Sequence, residues 1–151
     1  MIEMVFAIVI GTILTGIALT SFRTAQARFA ASSAKSVYGT LHQRARSKSV
    51  ELGETVILTV DVAGDSAYLG TLSEGRTDVT RFGSQLNVDL RSRFPEFTIC
   101  MTPRGYADYD CGALSQFGFI ATTTDTIRLE FWQSSDSASV LILPMGQLVG
   151  M

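Results

Sequence analysis

The side chain best placed to do chemistry in this sequence is a carboxylate, Glu3, at the front of an apolar run. Residues 4–22 carry no charge and are rich in Ile, Val, Leu and Ala. Nineteen such residues are enough to cross the core of a bilayer as a helix. A carboxylate within a membrane costs a few kcal/mol unless it is paired. The position of Glu3 therefore predicts either a charged partner or a location at the water interface.

The second candidate for chemistry is the cysteine pair, Cys100 and Cys111, the only cysteines of the chain. They enclose loop-like sequence, and in an oxidising compartment this spacing favours a disulfide. Closure of so short a loop would stabilise the fold by about 2–3 kcal/mol. Two separate buried thiols are the alternative. A metal site is not favoured, because the chain has no CxxC motif and its one histidine, His42, is far from both cysteines in sequence.

The sequence predicts no enzyme and no cofactor, since it has no nucleophile elbow, phosphate loop or metal-ligand cluster. Asp108 and Asp110 could bind calcium, although two acids in a loop are more often simply solvated. Nucleic acid is not favoured as a partner either. The arginines beyond the helical region are scattered among acids rather than gathered in a basic patch; examples are Arg76, Arg81, Arg91, Arg93 and Arg104.

A single long helix is predicted to carry Glu3. Residues 23–52 are rich in alanine and contain no proline. Within them Phe29, Val37, Leu41 and Ala45 recur at three- to four-residue spacing, with Ala30, Ala34 and Tyr38 beside them. Gly53 is a plausible C-cap. The helix is therefore predicted over about residues 2–52, with an apolar part (1–22) for membrane or filament core and an amphipathic part (23–52) that continues into a head.

The head, residues 53–151, is predicted to be an antiparallel sheet, which makes the fold class α+β. Alternation of apolar and polar residues predicts strands over 56–62, 66–70, 86–90, 97–101, 117–121, 127–132 and 140–143. Residues 63–65 and 134–137 are predicted hairpin turns. Residues 71–84 are predicted to form a loop or a short edge strand, and Gly146 a turn into a short final strand.

Charge is distributed unevenly along the chain. Residues 23–48 contain six basic residues and no acid, whereas residues 49–151 contain thirteen acids and six basic residues. A basic stem and an acidic head could attract one another between copies of the chain, or each could simply be solvated.

The sequence resembles the type IV pilins and type II secretion pseudopilins. The resemblance is carried by Ile2-Glu3-Met4-Val5 with the apolar run that follows, by the stem and first strand (residues 39–61), and by the end VLILPMGQLVG. The stem and the end are closest to the H-type minor pseudopilins and their pilus relatives.

This resemblance implies a structural subunit that polymerises through its N-terminal helix, with Glu3 as the assembly residue. The family glutamate is taken to meet the N-terminal amine of a neighbouring subunit. A basic leader is removed from the precursor by a prepilin peptidase, the new amine is methylated, and inner-membrane machinery assembles the filament outside the membrane. The family glutamate is usually the fifth mature residue, so two residues are expected to precede this sequence.

One further feature departs from the pattern of the family. Thr20 occupies the position of a common family proline, which puts the usual helix break in doubt, although nearby Gly and Thr residues could permit local melting.

The alternatives to a filament subunit of the pilus are a minor pseudopilin, a tip or DNA-uptake minor pilin, or, in another class, a monomeric membrane-anchored ligand-binding domain.

Overall fold

The structure, a computed structural model, describes residues 2–71, 73–108, 126–134 and 136–150, and in the first helix it leaves the side chains of Ile2 and Ala7 undescribed. Helix α1 is continuous from Ile2–Leu52 and is about 75 Å long. No break occurs at Gly11, Gly16 or Thr20. The helix ends at Gly53, which adopts a positive φ of 67° and donates its backbone N–H to the carbonyl of Ser49 at 3.1 Å. Only glycine takes this conformation at no steric cost.

The rest of the described chain forms two antiparallel sheets and a short helix, so the predicted α+β class is confirmed. One sheet has the strand order β3-β2-β1-β5-β6 and the other the order β4-β7-β8-β9. The strands are β1 Val56–Asp61, β2 Ser66–Thr71, β3 Gly75–Arg81, β4 Asp89–Ser92, β5 Glu96–Met101, β6 Ala107–Asp108, β7 Ile127–Gln133, β8 Asp136–Ile142 and β9 Leu148–Val149. The short helix α2 is Phe82–Leu86, and a 3-10 turn covers Pro144–Gly146.

Helix α1 reaches the head at Ala27 and then packs mainly on β7, β8 and β1. Its buried stripe consists of small residues alternating with larger ones: Ala27, Ala31, Ala34, Tyr38, Leu41, His42, Ala45 and Ser49. Alanines let the helix axis approach the sheets closely, and the larger side chains fill the space between sheets and helix. This stripe and the inward faces of both sheets form one core.

The predicted stripe was wrong at two of its positions. Leu41 and Ala45 are buried as expected, but Phe29 is 74% exposed and Val37 is 37% exposed. The helix turns its alanine face toward the head instead, so Phe29 lies about 200° around the axis from Ala27. Side-chain size was therefore a poor guide to the buried face, because close packing on the sheets favours small residues.

The predicted strand over 86–90 was also wrong in extent. Leu86 ends α2, Asn87 adopts a left-handed conformation with φ 53°, and β4 begins at Asp89. Asp65, in the β1–β2 turn, accounts for this arrangement. Its carbonyl accepts the N–H of Phe82 at 2.8 Å, and its carboxylate accepts the N–H of Leu90 at 2.6 Å. One residue therefore fixes both the start of α2 and the start of β4.

Strands β1, β2, β5 and β7 agree with their predictions, with small differences in their ends. The prediction was wrong at the start of β8, because Asp136 and Ser137, predicted as part of a turn, already pair with β7. The β1–β2 hairpin pairs Val56 with Thr71 and Asp61 with Ser66. The stretch predicted as a loop or edge strand contains β3, at the edge of the five-stranded sheet. The short last strand after Gly146 is β9, paired with β8. The predicted strand over 117–121 lies outside the described residues.

Candidate assembly site on the N-terminal helix

The first half of α1 extends away from the head with its apolar side chains in the open. Eleven large apolar side chains from Met4 to Phe22 are exposed, among them Met4 at 73% and Phe22 at 67%. By length and composition, this helix could cross a membrane. An uninterrupted apolar surface of this size is far larger than soluble monomers usually expose, which marks it as an interaction surface.

The threonines of this segment keep their hydroxyl groups occupied within the helix. Thr12 donates to the carbonyl of Val9 at 2.8 Å, and Thr15 donates to that of Gly11 at 2.7 Å. Thr20 donates to the carbonyl of Ile17 at 2.9 Å. Since each hydroxyl bonds to its own helix, these threonines can enter an apolar environment without an unsatisfied donor. Helix α1 thus continues through Thr20 without the break that a proline there would cause.

Glu3 and Arg23 are the charged residues of the protruding part of the helix, one at each end of the apolar run. Glu3 is exposed on the first turn of α1. Within the part of the chain that the structure describes, neither side chain forms an ion pair. The structure therefore leaves the predicted assembly residue, Glu3, accessible to a partner outside the chain.

The basic stem and the acidic head meet within one chain. Arg28 contacts Asp136 at 3.1 Å and Arg44 contacts Asp78 at 2.8 Å. Lys48 lies 3.5 Å from Glu74. These pairs tie the second half of α1 to β8, to β3 and to the turn before β3. Each is exposed enough that it contributes no more than about 1 kcal/mol, but together they show that half of the stem's six basic residues are satisfied internally.

The remaining sequence candidates do not converge on a site. Cys100 lies in strand β5, is buried and is disulfide-bonded. Its predicted partner Cys111 lies outside the described residues, as does Asp110, so both the pairing and the calcium site stay predictions. Asp108 is exposed at the end of β6. Among the described residues, no group of three or more His, Cys, Asp or Glu side chains could hold a metal.

His42 is buried against the head, 2% exposed, and neither ring nitrogen has a hydrogen-bond partner. Burial lowers its pKa to about 4, and the charge of Arg46 one turn later lowers it as well, while the backbone of Gly146 favours the protonated ring slightly. Tyr38 lies one turn before it, with ring centroids 6.4 Å apart, and burial raises the pKa of its phenol. Both side chains are core residues that the solvent does not reach.

One basic cluster was missed at the sequence level. An open groove of about 380 Å³ lies on the outer face of the four-stranded sheet. It is lined by Arg91 of β4, by Arg93, which directly follows β4, and by Arg128 of β7. Arg91 lies over the ring of Trp132 at 4.4 Å, and Arg128 contacts Glu130 at 2.8 Å. Residues 91 and 128 are far apart in the chain, so only the β4–β7 pairing brings them together.

A long apolar N-terminal helix joined to an antiparallel sheet head is consistent with a pilin-like fold. No protein-family model, no curated protein and no solved structure matches the chain.

Proposed function

We propose that this protein is a structural subunit of a type IV pilus-like filament, in the pilin and pseudopilin superfamily and closest to its H-type subgroup. One observation carries the proposal. A single unbroken helix packs its second half on a folded head and exposes an apolar first half that none of the described residues covers.

The exposed half of α1 has to leave water. Burial of one large apolar side chain is worth about 1.5–3 kcal/mol, so burial of its eleven exposed side chains favours lipid or another helix over water by roughly 20 kcal/mol. In this proposal lipid of the inner membrane supplies that burial in the precursor, before assembly. A bundle of the same helices supplies it after the subunit has left the membrane.

A parallel bundle of these helices is a heterologous assembly, because each copy uses different surfaces toward its two neighbours, and such an assembly grows into a fibre when it does not close. The heads then lie on the outside, in the periplasm or at the cell surface. A prepilin peptidase, N-terminal methylation and inner-membrane assembly machinery follow from the proposed family. Glu3 acts in assembly, since its charge favours neighbours that pair it and penalises those that leave it in an apolar contact.

The test compares Glu3→Ala with Glu51→Ala, a matched change of an exposed glutamate in the last turn of the same helix. Material sheared from cells that express each full chain is imaged by negative-stain electron microscopy. We expect Glu51→Ala to give fibres at the level of the unmodified chain and Glu3→Ala to give at least tenfold fewer, with the same head circular dichroism. Equal fibre yields from both variants would count against the assembly role of Glu3.

The same cell material distinguishes the alternative functions. A chain that stays monodisperse in detergent and gives no fibres with its assembly machinery present would be a membrane-anchored ligand-binding domain. Sparse incorporation at fibre ends or at low copy number would indicate a minor pseudopilin or a tip or DNA-uptake subunit. Abundant fibres made mainly of this chain would indicate a major subunit.

A further inference from the structure

Glu3 and Arg23 lie at the two ends of the apolar run of α1. Only some arrangements of neighbouring α1 helices therefore leave neither of these charges unpaired. They are separated by twenty residues of continuous helix, which is about 30 Å along the axis. Between them every residue is uncharged. Two parallel helices in register would place Glu3 beside Glu3, and a small displacement would place it beside the apolar side chains of the neighbour.

We propose that Glu3 of one copy forms an ion pair with Arg23 of a neighbouring copy that is displaced by about 30 Å along a parallel α1 helix. This inference rests on the proposed filament function and names a contact within it. The contact involves two side chains of the chain itself and is additional to any contact of Glu3 with an N-terminal amine, since a subunit in a fibre has several neighbours at different displacements.

Charge complementarity selects this displacement over others. Arg23 is the first basic residue that Glu3 meets along the neighbouring helix. The next one, Arg28, already contacts Asp136 of its own chain, and Arg44 and Lys48 are likewise paired with the head. Within the described residues Arg23 has no such partner, and it lies four residues before α1 first becomes buried against the head at Ala27.

The test is a charge reversal in the full chain, with fibres counted by electron microscopy after assembly in cells. We expect Glu3→Arg and Arg23→Glu each to lower fibre yield at least tenfold, and the double variant to recover at least half of the original yield. Lys35→Glu is the matched control: it reverses a basic residue of the same helix twelve positions further on, and combined with Glu3→Arg it restores nothing.

A cysteine pair measures the displacement directly. Met4→Cys with Thr24→Cys, twenty residues apart, is expected to give a ladder of crosslinked oligomers in oxidised fibres, whereas Met4→Cys with Ile13→Cys is not. Fibres that tolerate Arg23→Glu, or a double reversal without recovery, would overturn the ion pair while leaving the filament function intact. If the unmodified chain forms no fibres, the proposed function itself fails.

Discussion

At the scale of single residues, burial between α1 and the head decides the chemistry of some positions. His42 is the only histidine of the chain, and it lies in the core beside the backbone of Gly146 with no hydrogen bond at either nitrogen. A charged imidazolium there would be desolvated and would face Arg46, so the folded head holds the ring neutral. The helical position of His42 on the buried stripe explains this state without any role in binding.

The pH dependence of stability follows from His42. The unfolded chain binds a proton at a pKa near 6.5 and the folded chain only near 4, so the unfolded state holds more protons in between. Its contribution is complete above pH 6.5 and is lost as the pH falls toward 4. We expect the free energy of unfolding to drop by about 2 kcal/mol from pH 7 to pH 5.

Urea unfolding in detergent, followed by the fluorescence of the single tryptophan, Trp132, measures this change. His42→Leu is the control, and it should remove most of the pH dependence between these two values. If the two chains lose stability in parallel, other groups carry the effect and the histidine does not.

The turn at Pro144–Gly146 offers a second test at a single residue. Gly146 has a φ of 72°, and a Cβ added there would overlap the Cβ of Ala107. We expect Gly146→Ala to lower the free energy of unfolding by about 3 kcal/mol, from left-handed strain and from the overlap.

Gly53→Ala separates these two causes. Gly53 has a similar φ of 67° but open space around it, so its substitution should cost only about 1 kcal/mol. Thermal melts of the two variants give the comparison, and equal midpoints would show that Ala107 yields at no cost.

At the scale of elements, the continuous helix α1 lies in two environments, since its second half packs on the head and its first half is exposed. Its second half packs an alanine-rich stripe on two sheets and forms ion pairs with β8 and with β3. Its aromatic contacts run from Tyr38 to Phe131, with ring centroids 5.9 Å apart, and on to Phe82 of α2 at 5.7 Å. The helix therefore holds the two sheets and α2 in one core, while its first half makes no comparable contact.

The close approach of α1 to the sheets predicts sensitivity to side-chain size on one face only. Ala34 is fully buried, so Ala34→Leu should force side chains apart and lower the free energy of unfolding by about 1–3 kcal/mol. Ser36→Leu adds a large side chain two residues later, on the exposed face, and should change it by less than about 0.5 kcal/mol. Chemical unfolding of both variants measures the two changes in the free energy of unfolding. Similar losses would mean that the buried stripe is not where the structure has it.

At the scale of the whole molecule, the folded head and the apolar extension are separate in their energetics. The described side chains of residues 3–26 are exposed, and burial begins at Ala27. The core cluster takes Ala34, Tyr38, Leu41 and Ala45 from the second half of α1 and its other members from the head. Folding of the head therefore should not need the extension, whereas the behaviour of the chain in water or lipid depends on it.

Removal of residues 1–22 tests this separation. We expect the shortened chain to be monomeric without detergent and to melt within about 2 °C of the full chain measured in detergent, because the described head residues lose no contact. Size-exclusion chromatography and thermal melting give the two readouts. A much lower midpoint, or aggregation of a folded shortened chain, would show that the extension supports the head.

The sequence alone was sufficient for the features that depend on local pattern. An uncharged run of nineteen residues, the absence of proline up to Gly53 and the period-two stretches that follow predict a long helix and an antiparallel head, because helix and strand periods are properties of neighbouring residues. The same local information singles out Glu3, since its charge contrasts with everything next to it in the chain.

Only the tertiary structure decided which residues meet across the chain. It turned the alanine face of α1 inward and left Phe29 outside, it used Asp65 to fix the start of α2 and of β4, and it gathered Arg91 and Arg128 on one sheet face. These outcomes depend on how closely surfaces can pack and on pairings between strands distant in sequence. Neither is encoded in the spacing of neighbouring residues, so the pattern that predicts each element does not predict how the elements face one another.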